Sequence, residues 1–388
     1  MICLAGPAGP GARVRQAISL FSSDCRLLLA RKSISKIDME SSGERHEFAS
    51  DNTTGICPEV LTALEEANHG AAESYGADKW TGRVRELVRD LFETDCDVYL
   101  VSNGTAANAL ALSQLCQPFH SVICHKNAHV ETDECGAPEF FTRGSKLLLV
   151  GGDNAKLDID EAEATIARQP EVHAHKPRVI SITQATEFGT IYSRDEIAAL
   201  SKLAQKREMF LHMDGARFAN AVAALACSPK EITWKLGVDV LCFGGTKNGG
   251  AGAELVIFFK KELSREFEYR VKQGGQLASK ARFLAAQWNG LLTNNVWLRN
   301  AQHANAMARK LADRLRVAGK IDIVMPVEAN AVFVRLPGPL VRNLNSRGWH
   351  FYKFIEPDVY RLMCSWTTID ESIDRLVDDL LREAKAVL

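Results

Sequence analysis

The chain has 388 residues, of which 46% are hydrophobic and 24% charged, and its formal net charge is -1. That is the make-up of a globular chain with material for a sizeable core, enough for two domains. With no long block of like charge, it is not built as a general nucleic-acid or membrane-surface binder, and a small-molecule partner is the better expectation.

Residues 1–38 begin Gly/Pro-rich and carry more Arg and Lys than acid. They fit a mitochondrial transit peptide, a disordered extension, or translation begun upstream of Met39. Residues 1–45 are therefore set aside as an N-terminal extension, with a cytoplasmic location expected and a mitochondrial one as the alternative. No stretch of the sequence is apolar for long enough to cross a bilayer. The 10 cysteines are scattered, with no C-x-x-C pair and no Cys/His spacing suited to zinc, so no metal is expected. Those in "SVIC" and "DVLC" read as reduced core residues.

From residue 97 to about 260 the short apolar runs "DVYLV", "SVICH", "KLLLV", "RVISIT", "MFLHMD", "VLCFG" and "AELVIFF" alternate with segments of helical spacing. "TAANALALSQLC", "DEIAALSKLAQKR" and "SPKEITWKLG" are the clearest of these. The alternation predicts an α/β fold with a mainly parallel sheet and helices on both faces. After residue 290 come a long helix ("NNVWLRNAQHANAMARKLADRLRVAG"), short strands ("IDIVMP", "NAVFVRLP", "VYRLMCSW") and a closing helix. A large domain over 46–290 and a smaller α+β domain over 291–388 are expected.

Open α/β sheets take their ligands at the carboxyl ends of the strands. After "DVYLV" comes "SNGTAAN", where Gly104 and Thr105 open a helix whose free N–H groups suit a phosphate. After "MFLHM" comes Asp214, a carboxylate that calls for a cation. After "VLCFGG" comes Lys247, in a run of glycines. Each alone also suits a plain helix cap, a turn cap or a solvated turn. In this order they are what pyridoxal 5'-phosphate requires: a phosphate cradle, an acid for the pyridine nitrogen and an amine for the aldehyde.

With these motifs, together with "ASDN", "SYGAD", "NAHVETDECGAPEFF", "ITQATEFGTIY", "HMDGARFANA", "GGTKNGG" and "VYRLMCSW", the chain from Phe48 onward resembles the threonine aldolase/β-eliminating lyase family. These are fold-type I pyridoxal-phosphate enzymes, and the likeness is greatest to the bacterial low-specificity members. The resemblance implies that Lys247 is the Schiff-base lysine and that Asp214 pairs with the pyridine nitrogen. Gly104 and Thr105 would hold the phosphate, and His129 would stack on the ring. Ser50, Arg217 and Arg361 would gather the substrate carboxylate, with Arg217 also near the cofactor's 3'-hydroxyl. Tyr75 would reach in from a neighbouring subunit of a homodimer or homotetramer. Read without the resemblance, Arg361 in "VYRLMC" suits a strand residue reaching for water, and Tyr75 simply packs. The activity implied is cleavage of threonine, allo-threonine or a related β-hydroxy-α-amino acid to glycine and an aldehyde, a step of threonine breakdown and glycine formation. The alternatives are a β-eliminating lyase and a non-catalytic protein on the same fold.

One departure stands out. Where many members of the family read T-H-N-G, this chain reads Thr186, Glu187, Phe188, Gly189. The base acting on the β-hydroxyl is then His129 or Glu187. The reference pKa values of histidine and glutamate favour His129, acting through an ordered water that Glu187 helps to hold.

Overall fold

The structure, a computed structural model, describes residues 46–168 and 171–387. The expected N-terminal extension, including residues 1–38, lies outside the described residues. Thirteen strands follow in chain order: β1 (His46–Glu47), β2 (Asp97–Val101), β3 (His120–His125), β4 (Lys146–Val150), β5 (Lys176–Thr183), β6 (Phe210–Gly215) and β7 (Val240–Gly244). Then come β8 (Glu254–Phe258), β9 (Asp322–Ile323), β10 (Ala331–Arg335), β11 (Trp349–His350), β12 (Tyr352–Ile355) and β13 (Val359–Met363).

Seven strands form the main sheet in the order β2-β8-β7-β6-β5-β3-β4. All neighbours are parallel except β8, which runs antiparallel to both β2 and β7. Parallel strands covered on both faces read as unbroken apolar runs, and β7 and β8 are buried at every residue. The reversal at β8 follows from the short return after β7, because a crossover to a parallel neighbour needs a dozen residues or more.

A second sheet, β12-β13-β10-β9, lies in the C-terminal part. The Val296–Ala318 helix joins the two layers: Val296, Trp297 and Ala301 belong to the core under the main sheet, and Ala308, Leu311 and Leu315 to the C-terminal core. The boundary expected at residue 290 falls just ahead of this shared helix. β1 pairs with β11, Phe48 packs into the C-terminal core, and the Met363 N–H donates to the Phe48 carbonyl at 2.8 Å. The residues that follow, Ser50 to Asn52, are therefore carried to the site from the C-terminal layer.

Two elements depart from the sequence reading. "SPKEITWKLG" forms two short 3-10 turns, Pro229–Ile232 and Trp234–Leu236, in place of a helix. They break at buried Thr233, whose hydroxyl bonds back to the Pro229 carbonyl at 2.8 Å, the kind of local bond that competes with helix. In "IDIVMP" only Asp322 and Ile323 pair, and Pro326 supplies no ladder donor. Among the described residues no helix is long and apolar enough to cross a membrane. Cys57, Cys96, Cys116, Cys124, Cys242 and Cys364 are free and buried, whereas Cys135 is exposed and Cys227 partly so.

Candidate active site

Lys247 sits on the return between β7 and β8, and the glycines around it are there because nothing larger fits. A Cβ on Gly244 would lie 2.6 Å from the Ala216 carbonyl oxygen, and one on Gly250 would lie 2.9 Å from that of Gly245. The turn thus presses directly on the backbone that follows β6. Burial, with Arg217 nearby, lowers the Lys247 pKa, against the pull of Asp51, Asp214 and Glu254.

Asp214 is the last side-chain-bearing residue of β6 before Gly215 and is 4% exposed. One of its oxygens accepts from the Ala216 N–H at 2.9 Å, and the other accepts from the Asn108 amide at 2.9 Å. The same amide donates to Glu134 Oε1 at 2.8 Å, which also meets His129 Nδ1 at 2.9 Å. Asp214, Asn108, Glu134 and His129 thus form one continuous chain. Two carboxyl groups share a single NH2, and burial raises the Glu134 pKa further. The hydrogen bond to Glu134 raises that of His129.

A cavity of about 350 Å³ opens between this chain and Lys247, lined among others by Ser102, Gly104, Thr105, His129, Asp214 and Lys247. Its far end is the start of the Gly104–Leu115 helix, where Asn103 caps the Ala106 N–H. The first N–H groups of a helix have no partner within it, and a Cβ on Gly104 would meet no atom within 4 Å. A smaller cavity continues from it past Glu187, Thr183 and Arg217.

The carboxylate-binding candidates fall out less simply. Arg217 Nε and Nη2 are held by Asp51 at 2.7 and 2.8 Å, which leaves Nη1 for another anion. Burial works to raise the Asp51 pKa, but Arg217, Lys247 and the 3.1 Å bond from Asn330 outweigh it and hold it below its ordinary 3.8. Arg361 lies on β13, stacks over Phe354 at 4.6 Å and donates Nη2 to the Ala49 carbonyl at 3.2 Å. Its Nε is buried with no partner, and burial beside Arg217 lowers its pKa to about 10. Ser50 lines neither cavity; its hydroxyl accepts the Asn52 N–H at 3.2 Å, and Asn52 lines the larger cavity instead. Tyr75 also lies outside both, 51% exposed, with Lys272 5.0 Å over its ring.

Glu187 as a whole is only partly buried, but its carboxyl end is enclosed. Oε1 accepts from the His129 backbone N–H at 2.8 Å and from the Thr183 hydroxyl at 3.0 Å, while Oε2 has no partner. Burial, reinforced by Asp214, raises its pKa to about 7.

Comparison with known proteins identifies the family. The β-eliminating lyase family model matches residues 47–337. This chain belongs to the β-eliminating lyase family. Within it, the low specificity L-threonine aldolase of Pseudomonas aeruginosa is 53% identical over 334 residues, covering 86% of this chain and 96% of that protein. That of a second Pseudomonas strain is 51% identical, covering 87% and 97%. A solved structure of Leishmania major threonine aldolase is 28% identical with a TM-score of 0.82, covering 87% of this chain and 99% of that one. The fold expected from the sequence, fold-type I with a mainly parallel sheet, is the fold observed.

Four polar side chains at the β-eliminating lyase site escaped the sequence reading: Asp51, Asn108, Glu134 and Glu254. The first three stand inside the quoted motifs "ASDN", "SNGTAAN" and "NAHVETDEC", so a signal existed. What was missing was the spatial partner of each.

The Asp51–Arg217 pair yields a test of stability. Asp51→Asn leaves a buried guanidinium without its counter-charge, and a loss of about 3–5 kcal/mol in urea unfolding at neutral pH is expected. Because the folded pKa is depressed, the wild-type advantage is present above the ordinary 3.8 and fades as pH falls through the lower folded value. Equal unfolding midpoints at neutral pH would show that the pair adds nothing.

Proposed function

We propose that the protein is a pyridoxal-phosphate aldolase that cleaves L-threonine, L-allo-threonine or a related β-hydroxy-α-amino acid to glycine and an aldehyde. The observation that carries this reading is the cavity bounded by Lys247, Asp214 and the N-terminus of the Gly104–Leu115 helix. The Pseudomonas relatives, matched over nearly their whole length, support the substrate class.

The residues fit the cofactor. The open N–H groups at Gly104 and Thr105 suit its phosphate, the Lys247 amine its aldehyde and the Asp214 carboxylate its ring nitrogen. When bound, the cofactor supplies an electron sink for charge developing at the substrate Cα. Asp214, fixed by Asn108 and the Ala216 N–H, would face the ring nitrogen as a carboxylate and so favour a proton on that nitrogen. His129, tied at Nδ1 to Glu134, presents a face for stacking. Arg361 Nε and Arg217 Nη1 are the donors left for the substrate carboxylate, a charge-assisted arrangement. The β-hydroxyl proton is taken by Glu187 at Oε2. Its unpartnered oxygen and neutral-range pKa favour it over His129, the reverse of the order drawn from reference values.

Incubation with L-threonine, L-allo-threonine and L-serine separates the rival lyases. Glycine with an aldehyde is expected, and pyruvate with ammonia would mark a β-eliminating enzyme instead. Lys247→Ala should retain weak cofactor binding through the phosphate and lose turnover.

The base assignment is read from pH profiles of kcat. With Glu187 needed as carboxylate, wild-type activity should fall as pH drops below about 7. Glu187→Gln should lose about 10²- to 10⁴-fold and the acidic limb with it. If His129→Asn shows that loss and Glu187→Gln does not, the base is His129.

The same reading makes the protein a homodimer or homotetramer in which Tyr75 completes the site of a neighbouring copy. What supports it is the exposed position of Tyr75 away from its own cavity. Mixing inactive Tyr75→Ala and Lys247→Ala proteins after subunit exchange should restore up to about a quarter of wild-type activity in a dimer, by random pairing. No recovery, or a monomer in sedimentation, would place Tyr75 outside the chemistry.

A further inference from the structure

Glu254 opens β8, where the strand register sets it opposite Val101 on β2 and Gly244 on β7. Val101 leads into Ser102 and the helix N-terminus, and Gly244 leads into Lys247. Glu254 is 6% exposed and lines the larger cavity together with Gly104, Thr105, Thr246 and Lys247. On the cofactor reading above, on which this inference rests, a carboxylate here would face the phosphate across a poorly hydrated cleft. Two such anions repel.

The hydrogen bonds show how the conflict is relieved. Glu254 Oε2 accepts from the Gly245 N–H at 2.8 Å, and Oε1 meets the Thr246 hydroxyl. Thr246 Oγ1 also accepts from the Ala253 N–H at 3.3 Å. A hydroxyl has one proton to give. With Glu254 ionised, that proton is committed to Oε1, and Thr246 turns only lone pairs toward the cavity. With Glu254 neutral, Oε1–H donates to Thr246 Oγ1 and the threonine proton is free to point at an anion. Burial raises the Glu254 pKa to about 7, against the two hydrogen bonds and Lys247, so both states are accessible near neutrality. The other titratable groups on the cavity wall are Lys247, Asp214, His129 and Cys242. Of these, Lys247 favours the ionised form.

We propose that Glu254 takes up a proton when the cofactor binds and thereby turns the Thr246 hydroxyl into a donor to the cofactor phosphate. Glu254 is then a positioning residue: one proton enters from solvent, rests on Oε1 and is donated to Thr246 Oγ1. One O–H bond forms at Oε1, with its proton supplied by solvent, and no bond of the cofactor changes.

Glu254→Gln makes the neutral state permanent, since the amide oxygen accepts from Gly245 and the amide N–H donates to Thr246. The measurement is the dissociation constant of pyridoxal phosphate for the full-length wild type, Glu254→Gln, Thr246→Val and the double variant, from about pH 6 to about pH 9. Tryptophan quenching reads it, because Trp288 packs against Gly245. Removing the Glu254 charge also shifts Lys247, but it does so in both Thr246 backgrounds, so comparing the ratio of wild-type to Glu254→Gln constants with the same ratio in Thr246→Val isolates the Thr246 route. That ratio should climb about tenfold per pH unit above about 7, the signature of one coupled proton. In the Thr246→Val background only the direct repulsion between the two anions remains, and the climb should level off at a smaller value. A ratio independent of pH overturns the proposal and leaves the cofactor reading standing, as does a climb that Thr246→Val leaves unchanged. Failure of the wild type to bind pyridoxal phosphate at any pH would overturn both.

Discussion

The site depends on a place where backbone meets backbone with no side chain between. The turn joining β7 to β8 folds down onto the residues after β6, and its glycines let it come that close. Because packed interiors do not deform continuously, this contact fixes the root of Lys247 relative to that of Asp214. The antiparallel turn of β8 follows from the same short return, and with it the placement of Glu254 beside both the lysine and the helix N-terminus. One steric constraint therefore arranges an amine, two carboxyl groups and a helix end around one cavity.

Crowding so many ionisable groups into a small volume is tolerable only if each has a partner or gives up its charge. The solutions differ from group to group. Asp51 and Arg217 neutralise each other through two parallel hydrogen bonds. Asp214 and Glu134 divide one amide donor, and Glu134 passes the burden on to His129. Glu187 and Glu254 accept from neutral donors at hydrogen-bond distance, and burial pushes both toward neutrality. A carboxyl poised near pH 7 is suited to holding or releasing a proton, and the roles proposed for these two residues both use that property.

The main sheet was legible because buried parallel strands are written as continuous apolar runs, and the ends of those runs pointed to Gly104, Asp214 and Lys247 before any contact was known. Local pattern failed where the outcome was decided at long range. Asp51 meets Arg217 across 166 residues of sequence, and Asn108 meets Asp214 across 106. Nothing in the spacing of "ASDN" announces such a partner. Glu254 reads as the first letter of an apolar strand, and only the strand register shows what lies on either side of it. The misjudged turn at Thr233 has the same origin, since helical spacing of apolar residues carries no information about a hydroxyl that bonds backward. Glu187 is the instructive case: reference pKa values ranked it below His129, and the raised pKa of its enclosed carboxyl is what moves it ahead in the assignment proposed above.

The two guanidinium groups proposed as the grip on a substrate carboxylate are mounted on different layers. Arg217 follows β6 of the main sheet, whereas Arg361 belongs to β13 and reaches the carbonyl of Ala49 in the segment tied down by β1 and β11. The gap between them is therefore a gauge whose setting is the separation of the two sheets, maintained by the helix that threads both cores. Swelling or shrinking a residue in the C-terminal half of that helix, beyond Trp297 and Asn300 whose hydrogen bonds hold Asn248 beside the lysine, would reset that gap from a distance.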